Sequence, residues 1–211
     1  MNRYANSVPP AVLNILIANC VAFLATKLLN ADAIYELFAL FSVQSPWFEI
    51  WQPVTYMFLH GDFSHLFFNM FALWMFGRGL EQDLGTKRFV IYYFTCGIGA
   101  GLVQLLTMNF MGITIGASGA VFGLLLAFGM LHPNATIMLL IPPIPMKAKW
   151  FVVIYGLVEL LFGVTGSLDS VAHYAHLGGM FWGWLLLLWW RYQDRKRYRY
   201  YILGDMERAR P

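Results

Sequence analysis

Charge is what this sequence has least of. Only 12% of its 211 residues are Asp, Glu, Lys or Arg, about half the share of a soluble domain, so the chain cannot surround itself with water-facing side chains. Soluble globular classes are excluded on that ground. A nucleic-acid partner is excluded too, because the net charge of +3 is not gathered into a basic stripe. Cysteine is nearly absent: Cys20 and Cys96 lie in apolar runs, without metal-ligand spacing or a loop context, which argues against a disulfide framework. There is no H-E-x-x-H, no small-residue cleavage site after the first apolar run, no internal repeat and no low-complexity segment.

What is there is hydrophobicity, 59% of the residues. A membrane span needs about 20 mostly apolar residues, and six stretches qualify, near 10–30, 60–79, 88–107, 117–132, 150–166 and 170–190. The expected architecture is an all-α membrane protein of six transmembrane helices, one domain over residues 1–211 with a basic tail at 191–211. The fourth and fifth spans are short, as a helix that starts below the membrane surface would be. Basic residues sort by topology. Arg3, the Arg78/Lys87/Arg88 group, Lys147, Lys149 and seven from Arg191 to Arg210 fall on one side. The alternate loops, 31–59, 108–116 and 167–169, hold no Lys or Arg. Both termini are therefore expected in the cytoplasm, and Lys27 alone departs, near the end of a span. The first outer loop carries Phe38, Phe41, Trp47, Phe48 and Trp51 and reads as an amphipathic hairpin in the outer interface. Pro142, Pro143 and Pro145 mark a rigid cytoplasmic turn, and the aromatic, basic tail reads as an anchor on anionic lipid.

Polar side chains inside spans are costly and are functional candidates by default. With ~1.5 Å per residue and helix two entering from outside near His60, His65 lies roughly 8 Å deep and Asn69 roughly 14 Å. His176 on helix six comes about 9 Å below that helix's outer end, and Ser118 starts helix four at the same outer side. One outward-opening wet cavity would satisfy all four.

Ser118 lies in IGASGAVFG, where Gly119 and Gly123 allow close helix approach. At a helix start its surroundings carry unpaired amides, suited to an oxyanion. Ala175, Gly179 and Gly183 recur every four residues and give helix six a smooth face with His176 at its edge. Packing of helices four and six would bring the imidazole to the serine, whose hydroxyl needs a base to become nucleophilic. His65 and Asn69, at i and i+4, share a face of helix two and can both donate to an oxyanion. His60, about 140° around that helix at 100° per residue, is read as a loop support. Asp169, Glu81 and Asp83 are badly placed for a third member, so a Ser-His dyad is expected, with Glu159 structural. No metal or cofactor is expected: His60, His65, His173 and His176 could suggest a metal centre, but no ligating carboxylate accompanies them in sequence.

At these residues the chain resembles the rhomboid proteases: His60-x4-His65-x3-Asn69, Gly77-x3-Glu81-x3-Gly85, Gly116-x-Ser118-Gly119, and the Ala175-His176 pair followed by Gly179 and Gly183, occur in the family's order. The resemblance covers nearly the whole chain. It implies an intramembrane serine endopeptidase with Ser118 as nucleophile, His176 as base, and His65, Asn69 and the Ser118 amide as oxyanion hole. It implies structural support from His60, Gly116, Gly119, Gly179, Gly183 and Glu81. The implied partners are the bilayer and single-span membrane proteins cut near the outer face, in a prokaryotic cell membrane. Two departures stand out: Trp51-Gln52 replaces a Trp-Arg pair, and Phe122 holds a place where some members carry a histidine-stacking tyrosine. An inactive, client-binding relative is the alternative, against which both Ser118 and His176 speak.

Overall fold

The structure, a computed structural model, describes residues 8–138, 144–165 and 172–208. Arg3, Pro142, Pro143, Asp169, Arg210 and the third outer loop lie outside the described residues. The helices are, in chain order, α1 (Pro10–Leu28), the short α2 (Ala31–Phe38) and α3 (Gln52–Thr55), then α4 (Phe63–Leu84), α5 (Thr86–Thr107), α6 (Ser118–Leu131), α7 (Ala148–Thr165) and α8 (His173–Arg208). By length and composition α1, α5 and α7 can each cross a membrane, and α6 is an apolar helix of 14 residues.

Helices α5, α6 and α8 form the packed centre. Glycine makes that closeness possible: Gly179 lies against the Gly119 carbonyl, Gly123 against Cys96, and Gly183 against the Tyr92 hydroxyl. Tyr92 donates to the Gly123 carbonyl (2.9 Å), which satisfies a buried hydroxyl within the same contact. Helix α1 packs on α4, and its outer stripe of Leu13, Ile17, Val21, Leu24 and Leu28 is exposed, as lipid-facing residues at helical spacing should be. Glu81 sits at the other end of that contact. Its two carboxylate oxygens accept from the amides of Ala11 (3.0 Å) and Val12 (2.8 Å), and the Thr86 hydroxyl donates to it at 2.8 Å. An acid at a helix start pairs with orphan N–H groups and the positive dipole end, which accounts physically for Glu81.

The loop between α1 and α4 is more ordered than a hairpin. Besides α2 and α3 it contains β1 (Leu40–Phe41), which pairs antiparallel with β2 (Ile113–Thr114), between α5 and α6. Gln52, fully buried, holds this region by accepting from the Phe41 amide (3.2 Å) and donating to the Trp47 carbonyl (2.7 Å). Lys27 donates to the Gly61 carbonyl (3.1 Å), which gives the one departing cation a local acceptor. On the opposite side β3 (Thr136–Met138) and β4 (Pro145–Lys147) form a hairpin. Helix α8 runs on through Arg208, roughly 54 Å at 1.5 Å per residue, so residues 191–208 continue it as helix. Helix α4 starts at Phe63 with Asp62 as its N-cap, accepting from the His65 amide at 2.9 Å. His60 therefore precedes the helix, and the angle expected for it around helix two does not apply.

Candidate active site

The strand β2 leads into Gly116, one of two glycines among the described residues, with Gly85, whose φ is positive. Gly116 has φ 123°, a region L-residues rarely enter, and its amide donates to the Tyr56 carbonyl (2.9 Å). Two residues later α6 begins at Ser118. The first intrahelical bond is from Val121 to the Ala117 carbonyl (3.0 Å), so the amides of the opening turn have no partner inside the helix. Where Gly179 of α8 meets Gly119 of α6, the side chains beside them also meet: Ser118 Oγ and His176 Nε2 are 2.8 Å apart. The Phe122 ring lies on the imidazole, with centroids 4.1 Å apart and planes 10° from parallel. His176 is buried and Ser118 half-buried.

Around this pair, His65 and Ser118 bracket Gly116. A methyl group there would lie 2.7 Å from His65 Nε2 and 3.8 Å from Ser118 Oγ. Asn69, one turn on from His65, donates to the His65 carbonyl (2.9 Å), and it lines a cavity of about 600 Å³ with Ser118 between α4, α6 and α7. Phe68, Phe71, Val121, Phe122, Phe151 and Tyr155 make the rest of that wall largely apolar. His60 is fully buried and edge-on to His65, at 4.9 Å between centroids. Among the described residues neither of its ring nitrogens has a hydrogen-bond partner. Its main-chain carbonyl accepts from the Tyr35 hydroxyl (3.0 Å), a link between α2 and the approach to α4.

A shared donor–acceptor contact of this kind can move the serine proton onto Nε2, leaving an alkoxide-like oxygen beside free helix amides. The sequence model of the rhomboid domain matches residues 48–193.

The chain belongs to the rhomboid family.

Similar proteins include Rhomboid protein 1, mitochondrial, of Saccharomyces cerevisiae, 35% identical over 138 residues that cover 61% of this chain and 40% of the yeast protein. Rhomboid-like protein 11, chloroplastic, of Arabidopsis thaliana is 28% identical over 195 residues, 89% of this chain and 68% of that one. Rhomboid protease GlpG of Yersinia pestis is 27% identical over 183 residues, 85% of this chain and 62% of GlpG. The chain spans about 34 to 45% of the length of the first three relatives it matches. With its apolar helices, this rhomboid is a multi-pass membrane protein.

One expectation needs correction. From the sequence, no ligating carboxylate accompanies the histidines. In the structure Glu159 Oε2 is hydrogen-bonded to His173 Nδ1 (2.6 Å) and lies 2.9 Å from His176 Nδ1. The second approach is off the N–H direction, so His176 Nδ1 has no hydrogen bond among the described residues. The three side chains are all buried and offer atoms within 4.8 Å of one another, a geometry that could draw a metal ion. Zinc ligands at about 2.0–2.2 Å stand roughly 3.3 Å apart on a tetrahedron, so the 2.6 Å contact fits a direct hydrogen bond better. A costly acid in an apolar helix and two histidines one turn apart are both visible in sequence; what the sequence does not show is that α7 faces α8 at that height.

Proposed function

We propose that this rhomboid is an intramembrane serine endopeptidase in which Ser118 and His176 act as nucleophile and general base. The 2.8 Å contact between Ser118 Oγ and His176 Nε2, made between two different helices, carries the reading. A serine and a histidine fixed at hydrogen-bond distance beside unpaired helix amides form a costly arrangement for a purely structural role.

In the proposed reaction Ser118 Oγ attacks the substrate carbonyl carbon as its proton passes to His176 Nε2. The carbonyl oxygen takes the negative charge and accepts hydrogen bonds from the Ser118 amide, His65 and Asn69. Gly116 leaves the space between His65 and Ser118 open for that oxygen. His176 then gives the proton to the departing amine, which breaks the C–N bond and leaves an acyl ester on Ser118. Water attacks the ester as its proton goes to His176, which then gives it to the departing Ser118 oxygen, releasing the carboxylic acid and restoring the serine. No cofactor enters any step.

The apolar cavity along α4, α6 and α7 suits a transmembrane segment, and the outward position of Ser118 on α6 suits cutting near the outer face. A peptide bond in a regular helix is shielded and internally hydrogen-bonded, so single-span proteins with small residues and a weakly helical stretch are the proposed substrates. The proposed topology has six spans, with α4, α6 and α8 crossing beside α1, α5 and α7, and both termini in the cytoplasm of a prokaryotic cell. Comparing the membrane-protein ectodomains shed by cells that carry wild type or Ser118→Ala tests this. Fragments released only with wild type are expected; identical sets of fragments would refute it.

A further inference from the structure

We infer that Glu159 is the acid of the site, a positioning residue that fixes the His176 ring and offsets its charge while His173 fixes the carboxylate in turn. This rests on the proposed roles of Ser118 and His176.

On α7 only Ala148, Val152 and Glu159 are buried. They lie on one face, since eleven residues at 100° each bring Glu159 to within about 20° of Ala148. Val153, Ile154, Leu157, Leu160 and Leu161 are exposed. The helix thus turns its aliphatic side chains outward and its one acid inward. A carboxylate withdrawn from water must find partners or be neutralised. Both partners come from the first turn of α8, where His173 and His176 are three residues apart and share a face. The same oxygen, Oε2, serves both imidazoles.

The order of atoms gives the arrangement its meaning. Ser118 Oγ faces Nε2 on one side of the ring at 2.8 Å, and Glu159 Oε2 faces Nδ1 on the other at 2.9 Å. For Nε2 to accept the serine proton, the resting ring must carry its hydrogen on Nδ1, and an acceptor next to Nδ1 selects that tautomer. When the proton arrives, the imidazolium lies beside a carboxylate in a site where charge is poorly screened. The off-axis geometry is that of a site at rest. Such contacts often align only when the reaction begins, and a small rotation of the ring would complete this one. Phe122, stacked flat on the imidazole, holds the plane of the ring. The acid belongs to α7, which also supplies Phe151 and Tyr155 to the cavity, so displacement of this helix would change the cavity wall and the support of His176 together.

The test is the rate at which an alkyl fluorophosphonate labels the purified full chain in detergent, resolved into maximal rate and half-saturating concentration. Wild type should label and Ser118→Ala should not; equal labelling of the two would sink the serine reading itself, before Glu159 is at issue. Glu159→Gln keeps the shape and loses the charge. Its maximal labelling rate should fall about 10²-fold with half-saturation within twofold of wild type. Glu159→Asp should recover part of that loss. His173→Gln should lower the maximal rate roughly 10-fold, and this milder variant carries the test if Glu159→Gln does not fold. A maximal rate within twofold of wild type in folded Glu159→Gln protein overturns the proposal, as does the same result in folded His173→Gln protein should the first variant fail to fold. Labelling abolished by chelator and restored by zinc would overturn it as well, in favour of a metal centre on the same three side chains.

Discussion

Replacing Gly116 with alanine should inactivate this rhomboid without unfolding it. Two costs fall on the one added methyl group. The first is conformational: at φ 123° an L-residue is strained by about 1–3 kcal/mol. The second is steric, because the methyl carbon would lie 2.7 Å from His65 Nε2 and 2.9 Å from its Cε1. Unbonded heavy atoms settle at about 3.5–4.0 Å, so His65 or the opening of α6 must move by roughly 1 Å. A displacement of that size at a reacting centre can cost about 10²-fold in rate, while the fold, held by α5, α6 and α8, should survive. The assay is fluorophosphonate labelling of Gly116→Ala beside its helix content. Gly79→Ala is the control, since nothing lies within 4 Å of a methyl group there, and alanine is the better helix former by roughly 1 kcal/mol. The expected outcome is slow labelling for Gly116→Ala and wild-type labelling for Gly79→Ala. Full-rate labelling by a folded Gly116→Ala protein would refute the reasoning that His65 and Ser118 are set by the empty side of this glycine.

Two other substitutions separate stability from chemistry. Glu81→Gln removes the charge that receives the Ala11 and Val12 amides. It should cost about 1–3 kcal/mol, read as a lower melting temperature in detergent, with unchanged labelling rate per folded molecule. Phe122→Leu removes the ring stacked on His176, a contact worth about 0.5–1.5 kcal/mol. Its labelling rate should fall roughly 3- to 10-fold with melting temperature lowered by about 2–4 °C, and Phe122→Tyr should label like wild type.

Much of the fold can be read from the sequence because the bilayer permits few solutions. Every described long helix overlaps an apolar stretch, and of the glycines at four-residue spacing in α8, Gly179 meets Gly119 and Gly123 of α6 while Gly183 meets Tyr92 and Cys96 of α5. Ser118 and His176 can be matched because each is a polar group at an estimated depth, and depth follows from helix rise. Glu159 escapes for a physical reason: its depth along α7 is known, but its direction is not. Depth places a residue on a helix, whereas rotation of that helix about its axis is set by packing. Helix α7 is apolar around most of its circumference, so its pattern does not announce which face turns inward. His60 departs from expectation for a different reason, the N-cap. Asp62 ends the loop and opens α4, so a residue two positions earlier does not follow helical periodicity. The short helices between α1 and α4 are hidden because α2 and α3 are held by tertiary contacts from Gln52 and Trp51, including the bond from Trp51 Nε1 to the Leu37 carbonyl (2.9 Å).

The central claim is that Ser118 is made nucleophilic by His176. Peptide mapping by mass spectrometry after fluorophosphonate treatment reads it directly, in wild type, Ser118→Ala and His176→Ala. The phosphonyl group should appear on Ser118 at the full rate in wild type alone, with labelling of His176→Ala reduced at least about 10²-fold, as expected when a general base is removed. Equal labelling of Ser118 with and without His176 would contradict the account.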